Sequence, residues 1–128
     1  MDDDNKVLTT EEDFELFKKE AEAWIDTFGL HEWEVDFYHQ ELDDARAKCN
    51  WCGPHRIAQL ILSKDWTGAE LTPYHVCLAA FHETLELLIA DISDMANNMV
   101  SEDQATLRTH ALIHRLQRVI FQPKSIAS

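Results

Sequence analysis

The chain has 128 residues, 45% of them hydrophobic, with four Trp and six Phe, which fits one domain with its own core and argues against disorder. Its 24 acids against 11 bases leave a formal charge of −13, the reverse of the basic footprint a nucleic-acid binder needs. No stretch reaches the ~20 apolar residues needed to cross a bilayer, and the acidic start Met1-Asp2-Asp3-Asp4 is unlike a signal peptide; a cytoplasmic protein without a membrane partner is expected.

Residues 1–9 read as a flexible acidic leader. Thr9 and Glu12 stand in capping-box spacing, and Phe14, Phe17, Ala21, Trp24, Ile25 and Phe28 fall on one helical face. Gly29 ends this helix. The period then changes to two. Trp33, Val35 and Phe37 alternate with acids, and Ala45, Ala47 and Cys49 alternate with Arg46, Lys48 and Asn50, predicting two strands. Gly53-Pro54 marks a turn, and residues 56–63 predict a third strand.

Thr72-Pro73 opens the next helix, with Thr as N-cap and Pro at its tolerated first position. Its apolar residues run from Val76 through Leu85, Leu88 and Ile92 to a stop near Asn97-Asn98. Ser101 and Gln104 begin a last helix carrying Leu107, Ala111, Leu112, Leu116, Val119 and Ile120, with Pro123 beyond it. The expected fold is α+β: an N-terminal helix, a small three-stranded sheet, then two C-terminal helices. A single domain spans residues 10–122, with a tail at 123–128.

The segment His82-Glu83-Thr84-Leu85-Glu86 lies inside the first C-terminal helix. His82 and Glu86, four apart, project from one face and can share a small cation, as in His-Glu-x-x-His helices. Glu83 stands where the general base of such helices stands. The last helix offers His110 and His114, again four apart. If the two helices pack antiparallel, one of these histidines completes a set of two His and one Glu, leaving the fourth position of a zinc ion open for water.

These stretches resemble the minimal zincin peptidases of the gluzincin-like kind, small domains often encoded in phages and prophages. The resemblance rests on Trp33-Glu34-Val35, on the apolar run 57–62 ending near Trp66, on Phe81-His82-Glu83-Thr84-Leu85-Glu86-Leu87-Leu88, and on Thr109-His110-Ala111-Leu112-Ile113-His114-Arg115-Leu116. It covers roughly residues 11–120. Two positions depart from the family pattern and compensate each other: Glu86 replaces the second His, and His110 stands where a family acid would. The resemblance thus implies Zn2+ held by His82, Glu86 and His110, with His114 the alternate ligand. It further implies a peptide or protein substrate hydrolysed by a metal-activated water, with Glu83 as base, in a host-cell cytoplasm if the chain is phage-encoded. The third strand would form the cleft edge, where a peptide adds as a strand. Tyr74, His75 and His114 are candidates for stabilising the oxyanion.

The alternative is a non-catalytic acidic binding module, either a zinc-stabilised former peptidase or an inhibitor that mimics nucleic-acid charge. Cys49-Asn50-Trp51-Cys52 has three readings: half a metal site with His55, a redox pair, or an ordinary hairpin. The hairpin is expected, and with three cysteines in all, a reducing compartment is the simplest account.

Overall fold

The computed structural model describes residues 5–99 and 101–126. It is α+β, in the order α1 (Glu11–Phe28), β1 (Glu34–Gln40), β2 (Ala47–Cys52), β3 (Ile57–Ser63), α2 (Pro73–Leu88), α3 (Ala90–Met99) and α4 (Glu102–Ile120). The N-terminal helix, the three strands and the C-terminal helices are those expected, with one addition. The predicted long helix is broken at Ile89 (φ −100°, ψ 12°) rather than near Asn97. Leu87, Ile89 and Ala90 are all buried, and Ile89 packs with Trp24 and Phe81 while Leu87 and Ala90 join the sheet-side core. No Gly or Pro announces the break.

The apolar face of α1 is as read: Phe17, Ala21, Trp24 and Ile25 are buried. Its cap lies one residue later than expected. Thr10 Oγ1 accepts from the Asp13 amide, and the Asp13 carboxylate accepts from the Thr10 amide. Thr9 points instead into the fold, donating to the Ser63 carbonyl at 2.8 Å with His39 Nε2 at 2.7 Å. Gly29 ends the helix in the left-handed conformation (φ 68°), which costs a residue without Cβ little.

The expected leader and tail need correction. Residues 1–4 lie outside the described part, but Val7 and Thr9 are tied to the chain beyond β3 by the Trp66 amide donating to the Val7 carbonyl and the Thr9 amide to that of Lys64. At the other end, the amides of Lys124 and Ser125 donate to the carboxylate of Glu20, which is 0% exposed, and Trp24 Nε1 donates to it as well. A carboxylate so deep in the protein is tolerable because each oxygen is hydrogen-bonded. The predicted tail is therefore packed onto α1 through Ser125, and residues 127–128 lie outside the described part.

The sheet order is β1-β3-β2, with β1 parallel and β2 antiparallel to β3. Central β3 buries Leu60, Ile61, Leu62 and Ser63 in succession, the continuous pattern of a strand covered on both faces. Each such Leu contributes about 1.5–3 kcal/mol. The link 41–46 must cross the end of β3 to reach its far side, and it is fastened there: the Ser63 amide donates to the Arg46 carbonyl and the Leu42 amide to Ser63 Oγ.

The β2–β3 turn is clamped to α3. Arg56 has a positive φ of 54°, uncommon for a residue with a side chain. Its guanidinium makes two bonds to Asp91 (2.9 and 3.0 Å) and lies 4.8 Å from the Trp33 ring. At Gly53 a Cβ would stand 3.0 Å from Asp94 Oδ2, so a side chain there would push that carboxylate aside.

Candidate metal centre

Thr72 caps α2, its Oγ1 accepting from the His75 amide, with Pro73 at the first position as expected. Val76, Cys77, Ala80, Phe81 and Leu85 are buried. Ser101 caps α4 through the Gln104 amide. Fully buried Ile113 packs with Phe81, Leu85 and Ile89 and fixes the rotation of α4. That rotation brings His110, one turn before Ile113, to Glu86, and sets His114 and Gln117 against His82.

His82 Nε2 lies 3.3 Å from Glu86 Oε2, and His110 Nε2 lies 3.9 Å from the same oxygen. One ligand atom from each of the three falls within 4.8 Å of the others, the only such group of three among the described residues. Bonds of about 2.0–2.1 Å to a tetrahedral ion imply ligand separations of about 3.3 Å. The His82–Glu86 pair already has that spacing, and His110 must draw in toward both to match it. On its other side, His82 Nδ1 lies 2.7 Å from Gln117 Oε1. An amide oxygen only accepts, so Nδ1 carries the proton and Nε2 turns its lone pair toward Glu86 and His110.

Electrostatics support the same reading. Glu83 is 5% exposed, and its Oε1 has no hydrogen-bond partner. Burial, together with the neighbouring Glu86 carboxylate, pushes the Glu83 carboxyl well above the usual range. Neither acid forms an ion pair with Lys or Arg among the described residues. Two carboxylates in a low-dielectric site beside imidazole lone pairs are the donor set a divalent cation satisfies.

The cluster borders a cleft of about 410 Å³ to which His75, His82, Glu83, His114 and Gln117 contribute. His114 is not in the group of three. Its ring lies 5.4 Å from that of His82, and burial, with His82 and His110 close by, holds its pKa below the ordinary value. Of the three candidates for oxyanion stabilisation, His75 and His114 line the cleft. Tyr74 packs its ring against Phe121 and does not line it. A smaller cavity of about 100 Å³, walled by Trp51, Glu86 and His110, adjoins the cluster separately.

Cys49 and Cys52 fall on opposite faces of β2, the first buried and the second exposed, so they cannot close on one ion or on each other. The hairpin reading holds. Cys49 nonetheless lies near the cluster, closer than its sequence position suggests: burial, then Glu83 and Glu86, drive its pKa well up, which keeps it a thiol. Cys77 sits apart beside Glu20, where burial and that carboxylate raise its pKa to about 12.

Gln117 carries no signal in the sequence beyond being seven residues past His110, two turns along one face. Partners that orient a ligating imidazole are worth about 10–100-fold in metal affinity. Gln117→Ala should therefore weaken zinc binding by about that factor without unfolding the protein, as read by competition with a chromophoric chelator. Unchanged affinity would remove Gln117 from the centre.

Compared with models of protein families, with curated proteins and with solved structures, the chain matches none.

Proposed function

We propose that the protein is a zinc-dependent peptidase of the minimal zincin kind, cleaving peptide bonds in the cleft beside His82 and Glu83. The observation that carries this reading is the unpartnered Oε1 of buried Glu83, next to a His82–Glu86–His110 group that could hold a metal. A purely structural metal site has no need of a second buried acid beside it. Two nitrogens and one oxygen are the donors of many catalytic zinc sites, which keep one position open.

A bound zinc ion would polarise the scissile carbonyl and lower the pKa of a coordinated water to about 7. Glu83 Oε1, free of other partners, takes the proton of the attacking water and passes it to the leaving nitrogen. Gln117 holds His82 in the ligating tautomer. His75 and His114 stand on the cleft wall as donors to the developing oxyanion. Among the described residues no helix is long and apolar enough to cross a membrane.

The strand to which a peptide would add is not the one expected. β3 is paired on both sides, whereas β2 is an edge strand, and its first residue Ala47 lines the cleft. Incubation of the zinc-loaded protein with a mixed peptide library should give discrete cleavages that stop with a chelator and resume on adding zinc. Zinc held without any turnover would mark the non-catalytic, metal-stabilised alternative instead.

A further inference from the structure

The cleft has one feature that hydrolysis itself does not use. Arg46 is the only Lys or Arg on its wall. Among the described residues its guanidinium forms no ion pair and no hydrogen bond, its closest aromatic neighbour being the Trp66 ring at 5.9 Å. Its backbone, by contrast, is fixed. The Arg46 carbonyl accepts from the Ser63 amide at 2.8 Å and from Trp66 Nε1 at 3.1 Å, immediately before edge strand β2. Arg46 thus offers a cation from a fastened base that borders both the cleft carrying His82 and an adjoining cavity walled by Asp44, Asp65 and Trp66. In a chain of formal charge −13, Arg46 is the one Lys or Arg this cleft offers to a ligand.

We propose that Arg46 sets the specificity of the cleft by receiving a carboxylate of the substrate peptide, so that an acidic residue or a free C-terminus lies beside the scissile bond. The substrate class rests on the peptidase reading; the carboxylate preference rests on Arg46. Guanidinium matches carboxylate with two parallel hydrogen bonds. His75 also lines the cleft, but its ring is engaged on both sides: Thr72 Oγ1 lies 2.7 Å from Nδ1, and Glu70 Oε1 lies 3.8 Å from Nε2. Asp44 shares this wall and forms no ion pair with Arg46 among the described residues, so an incoming carboxylate competes with it for the guanidinium.

The opposing influence is the protein's overall negative field, which favours basic peptides. That field acts over the surface and is screened within about 8 Å at physiological ionic strength. Inside the cleft, the group in contact decides. The field therefore sets how often peptides arrive, and Arg46 sets which of them stay.

The test uses the full chain carrying zinc and the Glu83→Gln substitution, so that peptides bind without being consumed. Fluorescein-labelled alanine hexapeptide amides with one central Glu, Gln or Lys are titrated and followed by anisotropy, alongside the all-alanine peptide as free acid and as amide. The Glu peptide should bind about tenfold tighter than the Gln peptide if an acidic side chain is the partner. The free acid should beat its amide by a similar factor if the C-terminus is. Arg46→Ala should erase the preference, Arg46→Lys should keep part of it, and Arg46→Glu should turn it toward the Lys peptide. Equal binding of all peptides, tightest binding of the Lys peptide by wild-type Arg46, no binding at millimolar concentrations, or a carboxylate preference that survives Arg46→Ala would each overturn the assignment. Carboxylate-selective binding with no cleavage by the Glu83 protein would sink the peptidase reading and leave that of Arg46 standing.

Discussion

Replacing Glu83 by Gln should abolish peptide hydrolysis while leaving the bound zinc and the fold in place. The expected fall in kcat is about 10²–10⁴-fold, the range for loss of a positioned general base. Gln has nearly the shape of Glu but cannot accept the proton. Glu83 is buried beside the partly buried Glu86, neither with a Lys or Arg partner among the described residues, so an uncharged side chain of the same size suits the place and opens no cavity. Cleavage at the wild-type rate by the Gln variant would show that another group takes the proton. Circular dichroism and elemental analysis on the same sample separate this outcome from misfolding or metal loss.

The second large effect is expected at the ligands. The protein should bind one zinc per chain, and Ala at His82, Glu86 or His110 should each reduce affinity by far more than Gln117→Ala does, because a zinc site rarely persists on two protein ligands. His114→Ala should retain the metal, since His114 lies beside His82 but outside the group of three. Absence of any transition metal from gently purified protein, with none taken up when zinc is added back, would sink the metal centre. Loss of zinc from His114→Ala with retention in His110→Ala would mean that α4 presents its histidines one turn later than described.

Much of the fold was legible because its signals are periodic or local. Alternation placed β1 and β2, spacing of three and four placed α1, and Thr72-Pro73, Ser101 and Gly29 fixed helix ends within a residue. What escaped depends on partners distant in sequence. Glu20 is an acid on a buried helix face, acceptable only because Lys124 and Ser125 bring their amides to it. Neither the break at Ile89 nor the strand order, set by the crossing of the 41–46 link, leaves a mark in local composition. At the site, the His82, Glu86 and His110 grouping was legible from helical spacing together with resemblance. The choice of His110 over His114 is fixed physically by Ile113, whose burial sets the rotation of α4. Gln117, the nearness of Cys49 and the free guanidinium of Arg46 all required the packed structure.

The docking of residues 124–125 onto Glu20 has a consequence for how the protein is made. Glu20 belongs to the first helix, yet the two amides that satisfy it lie 104 and 105 residues later. While the chain is being synthesised, a carboxylate in the middle of the apolar face of α1 has only the Trp24 indole among its final partners, and water must serve in place of the others. Burying that face early would strand the charge; leaving it wet delays the packing of Trp24 and Phe121 that accompanies it. Completion of the core is thus tied to the emergence of Ser125, and contacts of such long range are formed slowly. A nascent chain halted at Ile120 would have α2 and α4 complete yet lack the amides that close this side of the core, leaving apolar surface open to chaperones and proteases.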